Sequence, residues 1–147
     1  SEGPEFAGIP RFSPERFARV HPKTPLKRKQ MDQGLRQLSE EGAVQVLYEP
    51  DGGPRPIVGV VGQLQFEILL HRLEHEYGAD ARLESLGYTI ARWATGESAE
   101  IRRLGTGYGR KLVVDHHDRP LILFENDHAL RRAEEDAGDV ELHSVSP

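Results

Sequence analysis

The most regular apolar pattern in the chain predicts an α-helix near its middle. Five apolar residues are spaced three or four positions apart and would share one helix face: Phe66, Leu69, Leu70, Leu73 and Tyr77. The glycine that follows, Gly78, is typical of a residue that ends a helix. We therefore predict that Leu69 and Leu73 are buried, whereas Glu74, off the apolar stripe, is exposed.

A second apolar stripe predicts an earlier helix over residues 25–41. Three residues lie on its inner face: Met31, Leu35 and Leu38. Thr24 is placed to cap this helix, Pro25 suits its first turn, and Gly42 suits its end.

Apolar and β-branched runs bounded by turn residues predict the strands. In the first half they are residues 17–21, residues 43–48 and 57–61 joined by a turn at 50–54, and residues 81–86. In the second half they are residues 88–94, 111–115, 121–124 and 140–145. Two further helices are predicted there, over residues 97–104 and over 127–137, the latter capped by Asn126 or Asp127 and ended by Gly138.

This order of elements is βαββαβ written twice, which predicts an α+β fold of the ferredoxin-like kind. Each unit would form an antiparallel sheet with its helices packed on one face. We assign residues 1–14 to a leading segment or linker, and residues 15–147 to one domain with halves at about 15–87 and 88–147. The repetition lies in the order of elements and not in residue identity.

Charge is distributed unevenly along the chain, although the total is −5. Residues 1–38 carry eight Lys/Arg and four Asp/Glu, whereas residues 39–78 carry two and seven. Basic residues cluster in two places: Lys23, Lys27, Arg28 and Lys29, and further on Arg102, Arg103, Arg110 and Lys111. The acidic total argues against wholesale coating of nucleic acid but leaves room for one basic face that contacts it.

The composition is that of a globular protein that acts in the cytoplasm. The chain has no cysteine, as expected in a reducing compartment. Its apolar runs are far shorter than the roughly 20 residues that span a bilayer, so no membrane partner is expected. Because the chain lacks an initiator methionine, we expect that it is a fragment or begins with a cloning remnant.

A glycine-rich stretch at residues 105–109 resembles a phosphate-binding loop only superficially. A Walker loop needs four residues between its glycines and then Lys-Ser/Thr, and it must lead into a helix. Here Lys111 is followed by Leu112, and the stretch leads into a predicted strand. We interpret it as a flexible connector and predict no nucleotide site and no small-molecule substrate.

The sequence shows no complete catalytic set. Asp115, His116, His117, Asp118 and His128 are metal-ligand types, but adjacent histidines on a turn point in different directions. We interpret residues 115–120 as a solvent-exposed turn rather than a metal site. Trp93, although close to Tyr88, is expected to pack in the core rather than to stack on RNA bases.

Several strings go beyond what folding requires and resemble one family. They are residues 25–30 (PLKRKQ), 34–35 (GL), 37–46 (QLSEEGAVQV), 58–67 (VGVVGQLQFE), 72–73 (RL), 76–77 (EY), 91–93 (ARW) and 139–142 (DVEL), with residues 6–15 (FAGIPRFSPE) at the start. In this order the chain is similar to the C-terminal domain of the bacterial class II peptide chain release factors, which are translation GTPases. One departure is the turn at residues 115–120, where a glycine is expected.

This resemblance implies a binding domain without catalysis. The complete factor would bind GTP or GDP with Mg²⁺ on an N-terminal domain, and would promote departure of class I release factors from the ribosome. The C-terminal domain would dock on the small subunit, contacting rRNA and ribosomal protein, and would pack against other domains of the same factor. Lys27, Arg28 and Lys29 are our candidates for the RNA contact, because clustered cations suit phosphates.

Three alternatives stay open at this point. A piece similar to the third domain of elongation factor G fits less well, because the helix that follows residue 62 begins Gln-Leu-Gln-Phe rather than Glu-Leu-His. A free-standing RNA-binding plait would need cations and aromatics on its sheet face. A small acylphosphatase-like enzyme would need an arginine and an asparagine aimed at one phosphate pocket.

Overall fold

The structure, a computed structural model, describes residues 13–53 and 55–147. Most of the leading segment predicted for residues 1–14, and Pro54 in the predicted turn, therefore lie outside the described residues. Within the described part, no helix is long and apolar enough to cross a membrane.

Within the described residues, eight strands and four α-helices form two successive βαββαβ units. The first unit consists of β1 (Arg16–Pro22), a 3₁₀ turn (Pro25–Lys27), α1 (Arg28–Glu40), β2 (Gln45–Leu47), β3 (Ile57–Val60), α2 (Gln63–Tyr77) and β4 (Ala81–Ser85). The second consists of β5 (Ile90–Thr95), α3 (Ser98–Gly105), β6 (Arg110–Val114), β7 (Pro120–Phe124), α4 (Asp127–Asp136) and β8 (Glu141–His143).

Each unit builds its own four-stranded sheet, and the two sheets share one topology. The strand orders are β2-β3-β1-β4 and β6-β7-β5-β8, so the first and third strands of each unit lie in the middle. All pairings are antiparallel. This is the ferredoxin-like arrangement, and the predicted α+β fold with two such units is confirmed.

The helix ends show which local predictions were right. Gly42, Gly78 and Gly138 have φ values of +83°, +66° and +59°, as expected of residues that end a helix in the left-handed region. Asn126, rather than Asp127, caps α4, because its Oδ1 accepts from the Ala129 amide at 2.9 Å.

The start of α1 differs from the prediction. Residues 25–27 form a 3₁₀ turn, and the α-helix begins only at Arg28. The Thr24 side chain makes no capping hydrogen bond; instead its carbonyl accepts from the Lys27 amide at 2.9 Å. A backbone hydrogen bond, and not a side-chain cap, therefore closes the turn that precedes α1.

The helices cover one face of each sheet. In the first unit, α1 and α2 bury Met31, Leu35, Leu38, Leu69 and Leu73 against the sheet. In the second unit, α3 and α4 do the same through Ile101, Leu104, Leu130 and Ala133. The predicted burial of the apolar stripes on α1 and α2 is confirmed.

The other face of each sheet packs against the other sheet. Successive residues of a strand point to opposite faces of its sheet. In β1, Ala18 belongs to the core under the helices, whereas Phe17 belongs to the core between the sheets. The inter-sheet core takes Phe17, Leu47 and Ile57 from the first unit and Ala91, Trp93, Val113, Leu121 and Leu123 from the second. The fold therefore has four layers, helix–sheet–sheet–helix, and the predicted core position of Trp93 is confirmed.

The stripe on α2 makes a direct test of this packing. Leu69 and Leu73 are 2% and 0% exposed, so truncating either to Ala should lower the free energy of unfolding by about 2–5 kcal/mol through lost burial and a cavity. Glu74 is exposed on the same helix, and Glu74→Ala should cost about 0.5 kcal/mol or less. Urea unfolding of the three variants checks this. Equal losses for Leu73→Ala and Glu74→Ala would contradict the orientation of α2.

Candidate docking surface at the start of α1

Three consecutive cations occupy the junction between the 3₁₀ turn and α1. Lys27 and Lys29 are exposed, whereas Arg28 is half-buried and its Nε lies 3.7 Å from Asp32 Oδ2. Successive helical residues are about 100° apart around the axis, so the three side chains spread over the helix start instead of converging on one pocket. They make a broad positive surface.

The helix itself adds to this positive potential. The first turn of α1 contains no acidic residue, although the amino end of a helix carries a partial positive charge that acidic residues usually offset. Next to the cations, Leu26 is 89% exposed. Sequence reasoning missed Leu26 because an apolar residue in a predicted helix is expected to face the core. The 3₁₀ turn directs it outward.

The second basic cluster is largely neutralised by contacts within the protein. Arg110 Nη2 lies 3.1 Å from Asp136 Oδ2, and Arg103 Nη2 lies 3.1 Å from Glu100 Oε1. Lys111 Nζ lies 3.0 Å from Glu49 Oε1. Since these cations already have acidic partners, the start of α1 is the better candidate for an external anion.

Beside α1, a groove of about 460 Å³ runs along the junction of the two units. Arg28 and Arg36 line it from α1, Tyr48 and Glu49 from the segment after β2, and His116 from the turn between β6 and β7. Of the three candidate cations, only Arg28 lines this groove. The groove therefore borders the basic surface at Arg28 but does not include Lys27 or Lys29.

Backbone and side-chain contacts join the two units along this groove. Tyr48 and Val114 exchange two backbone hydrogen bonds, at 2.8 and 2.9 Å, between the edges of the two sheets. Ser39 Oγ lies 3.1 Å from His116 Nδ1, which connects α1 with the β6–β7 turn. These contacts hold the end of α1 and the segment after β2 against the second unit.

A buried carboxylate organises the β6–β7 turn. Asp115 is 2% exposed, and its Oδ1 accepts from the amides of His117 at 2.8 Å and Arg119 at 3.0 Å. Its Oδ2 accepts from Trp93 Nε1 at 3.2 Å and Arg119 Nε at 3.1 Å. Burial alone would raise the pKa of Asp115, but these hydrogen bonds and the Arg119 charge outweigh it, so the pKa lies below its ordinary value.

This geometry corrects the interpretation of residues 115–120 as a wholly exposed turn. His117 and Asp118 are exposed as expected, but Asp115 is buried because four donors satisfy its charge. Asp118 has φ +62°, the conformation for which a glycine is expected at this turn. An aspartate tolerates that conformation better than most residues.

The histidines of the described residues do not gather into a metal centre. The ring centroids of His116 and His117 lie 4.0 Å apart. The sequence analysis overlooked an i, i+4 pair on α2, His71 and His75, whose ring centroids lie 4.1 Å apart. No group of three or more potential metal ligands occurs within residues 13–53 and 55–147.

Comparison with known proteins decides the family. The family model described as "Class II release factor RF3, C-terminal domain" matches residues 6–134. The chain belongs to this family. Curated relatives named peptide chain release factor 3 agree: the protein of Rippkaea orientalis is 42% identical over 97% of this chain, and that of Symbiobacterium thermophilum is 47% identical over 86%.

The match covers only part of those relatives. This chain spans 27% of the Rippkaea orientalis protein and 24% of the Symbiobacterium thermophilum protein, about a quarter of each. The resemblance read from the sequence is confirmed, and it places the release-factor domain in a translation-termination family.

Replacing the buried carboxylate tests the organisation of the release-factor domain. Asp115→Asn removes the negative charge that pairs with Arg119 and replaces one of the two acceptor oxygens by an NH₂ group. It should therefore lower the free energy of unfolding by about 3 kcal/mol at neutral pH. Because the pKa of Asp115 is lowered on folding, the wild-type advantage is present above the unfolded pKa and is lost as the pH falls through the folded value. The difference between the two proteins should therefore shrink below about pH 4.

Asp118→Asn is the matched control, since it makes the same chemical change at an exposed position of the same turn. Asparagine also tolerates the left-handed conformation, so the control should change stability by about 0.5 kcal/mol or less. Urea unfolding at several pH values measures both variants. Equal effects at the two positions would show that Asp115 does not organise the turn.

Proposed function

We propose that this domain docks a GTP-dependent peptide chain release factor on the ribosome during translation termination. The longer protein would act in the cytoplasm and promote departure of class I release factors after peptide release. Family membership supports this role, since the matched relatives are named as release factors. The observation that carries the docking role is the start of α1, with three cations, no acidic residue in its first turn and an exposed leucine.

Physical chemistry favours RNA phosphates of the small subunit as the partner of this surface. Lys27 and Lys29 are exposed and have no ion pair within the described residues, so binding would not first have to break one. Neutralising phosphates releases counterions from RNA, which drives association at moderate salt. Leu26 adds an apolar contact suited to a ribosomal protein beside that RNA.

A second surface suits packing against the rest of the factor. Val61, Leu64 and Ile68 are 51%, 64% and 48% exposed around the start of α2. Beside them is an apolar pocket of about 160 Å³ whose lining includes Leu38 and Val44. Because the relatives are about four times as long as this chain, other domains of the same polypeptide are available to cover this surface.

We assign catalysis and nucleotide binding to the longer protein and not to this domain. GTP or GDP with Mg²⁺ would be held by the N-terminal part of the factor. In this chain the glycine-rich stretch at residues 105–109 begins at the last residue of α3 and leads into β6, so its amides do not open a helix as phosphate loops do.

The geometry disfavours two of the other functions left open by the sequence. A free-standing RNA-binding plait uses an open sheet face, but here one face of each sheet is under helices and the other is in the inter-sheet core. An acylphosphatase-like enzyme needs an asparagine in a phosphate pocket, whereas Asn126 is engaged in capping α4.

Reversing the charge of the α1 start tests the docking role. In the full-length factor, Lys27→Glu, Arg28→Glu and Lys29→Glu together should weaken ribosome binding and flatten its salt dependence, because phosphate contacts are lost. Each lost contact should reduce the slope of log affinity against log salt by about 0.7–0.9. Binding to purified ribosomes at several salt concentrations provides the measurement.

The matched control places the same charge change on other exposed surfaces, with Arg82, Arg131 and Arg132 changed to Glu. Both variants must retain normal GTP binding, which shows that the factor is folded. If the α1 variant binds with the wild-type slope and affinity, these cations are ordinary solvated surface residues and the proposed site is wrong.

A further inference from the structure

The loop between α3 and β6 presents one aromatic side chain to solvent. Tyr108 is 96% exposed, the highest value among the large hydrophobic residues that the structure describes. The other three tyrosines pack against the cores: Tyr48 and Tyr77 under the helices, and Tyr88 between the sheets. Tyr108 therefore contributes little to the stability of the fold, and its ring is accessible to a partner.

The loop that carries Tyr108 is compact, which corrects its interpretation as a flexible connector. The Arg110 amide donates to the Gly107 carbonyl at 3.2 Å, and the Glu125 amide donates to the Gly109 carbonyl at 3.0 Å. Thr106 Oγ1 donates to the Arg103 carbonyl at 3.0 Å. These bonds close the loop on both sides of the tyrosine.

Its glycines serve this compact shape. Gly109 has φ +75°, which side chains rarely allow. A Cβ on Gly107 would lie 2.6 Å from Arg110 Nη1. That guanidinium is itself held beneath the loop, since its Nη1 donates to the Leu104 carbonyl at 3.0 Å and its Nη2 lies 3.1 Å from Asp136 Oδ2. Tyr108 thus stands on a preorganised loop, which lowers the entropy cost of using it in binding.

The surroundings of Tyr108 favour RNA over an apolar protein surface. Protein-binding aromatics usually sit in a larger apolar patch, but the only other exposed large hydrophobic residue in the described second unit is Val145. Beside the loop lies a shallow groove of about 370 Å³ whose lining includes the basic Arg102, Arg110 and Lys111 and the acidic Glu49 and Asp51. Arg110 and Lys111 are paired with Asp136 and Glu49, which leaves Arg102 as the cation available to a phosphate. Arg102 is exposed and has no ion pair within the described residues, so it can meet a phosphate.

We propose that Tyr108 stacks on an unpaired RNA base, with Arg102 contacting the adjoining backbone. Stacking requires only the face of a base, so a single ring on a rigid loop suffices. Bases in loops and bulges of folded RNA are available for such contacts. This inference rests on the proposed function, since ribosomal RNA is the RNA that the domain would meet. It adds a contact on the second unit, separate from the start of α1.

Substitution of Tyr108 in the full-length factor tests the stacking. Tyr108→Ala should weaken binding to purified ribosomes by about 5- to 140-fold, the range expected for loss of one base–aromatic stack. Tyr108→Phe and Tyr108→Trp keep a ring and should retain most of the affinity. Because Tyr108 is almost fully exposed, none of the three should change the urea midpoint of the isolated domain. Equal binding by the Ala variant and the wild type would overturn the proposal.

Photocrosslinking identifies the partner directly. A benzoylphenylalanine placed at position 108 of the full-length factor should crosslink to rRNA when the factor is bound to ribosomes. Crosslinks only to ribosomal protein, or none, would overturn the stacking proposal while ribosome binding itself persists. If the wild-type factor fails to bind ribosomes at all, the proposed function fails instead, so the two outcomes are distinguishable.

Discussion

Each four-stranded sheet has two apolar faces, and the two helices of its unit cover only one of them. In each βαββαβ unit, both helices lie on the same side of the sheet. The opposite face of each sheet is strongly apolar, with Phe17 and Ile57 in one unit and Trp93 and Leu121 in the other. Leaving these faces in water would be costly, so each sheet covers the other. The two units therefore complete one another.

This mutual packing also positions the surfaces that we associate with binding. Asp115 joins Trp93 of the inter-sheet core to the β6–β7 turn, and His116 of that turn contacts Ser39 of α1. Glu49 contacts Arg19 of the first unit and Lys111 of the second. These contacts join the two units into one packed fold, which carries both the start of α1 and the loop with Tyr108.

The sequence predicts local structure well because helix stripes and glycine stops are local signals. The α2 stripe and the repeated element order were enough to identify the fold. The inter-sheet packing was missed because a run such as Leu121–Phe124 shows that a strand is buried on both faces, but not what covers the second face. Asp115 looked exposed since its partner Trp93 is 22 residues away, and the pairing of Lys111 with Glu49 is equally non-local.

We expect the two units to fold as one, and Trp93 allows their cooperativity to be measured directly. It is the only tryptophan in the chain and lies between the two sheets, so its fluorescence reports on their packing. Far-UV circular dichroism reports on the helices on the outside of both units. In urea the two signals should change together, with one midpoint and one slope, because neither unit is stable with its inner face exposed. A tryptophan transition well separated from the loss of helix would show instead that the units unfold independently.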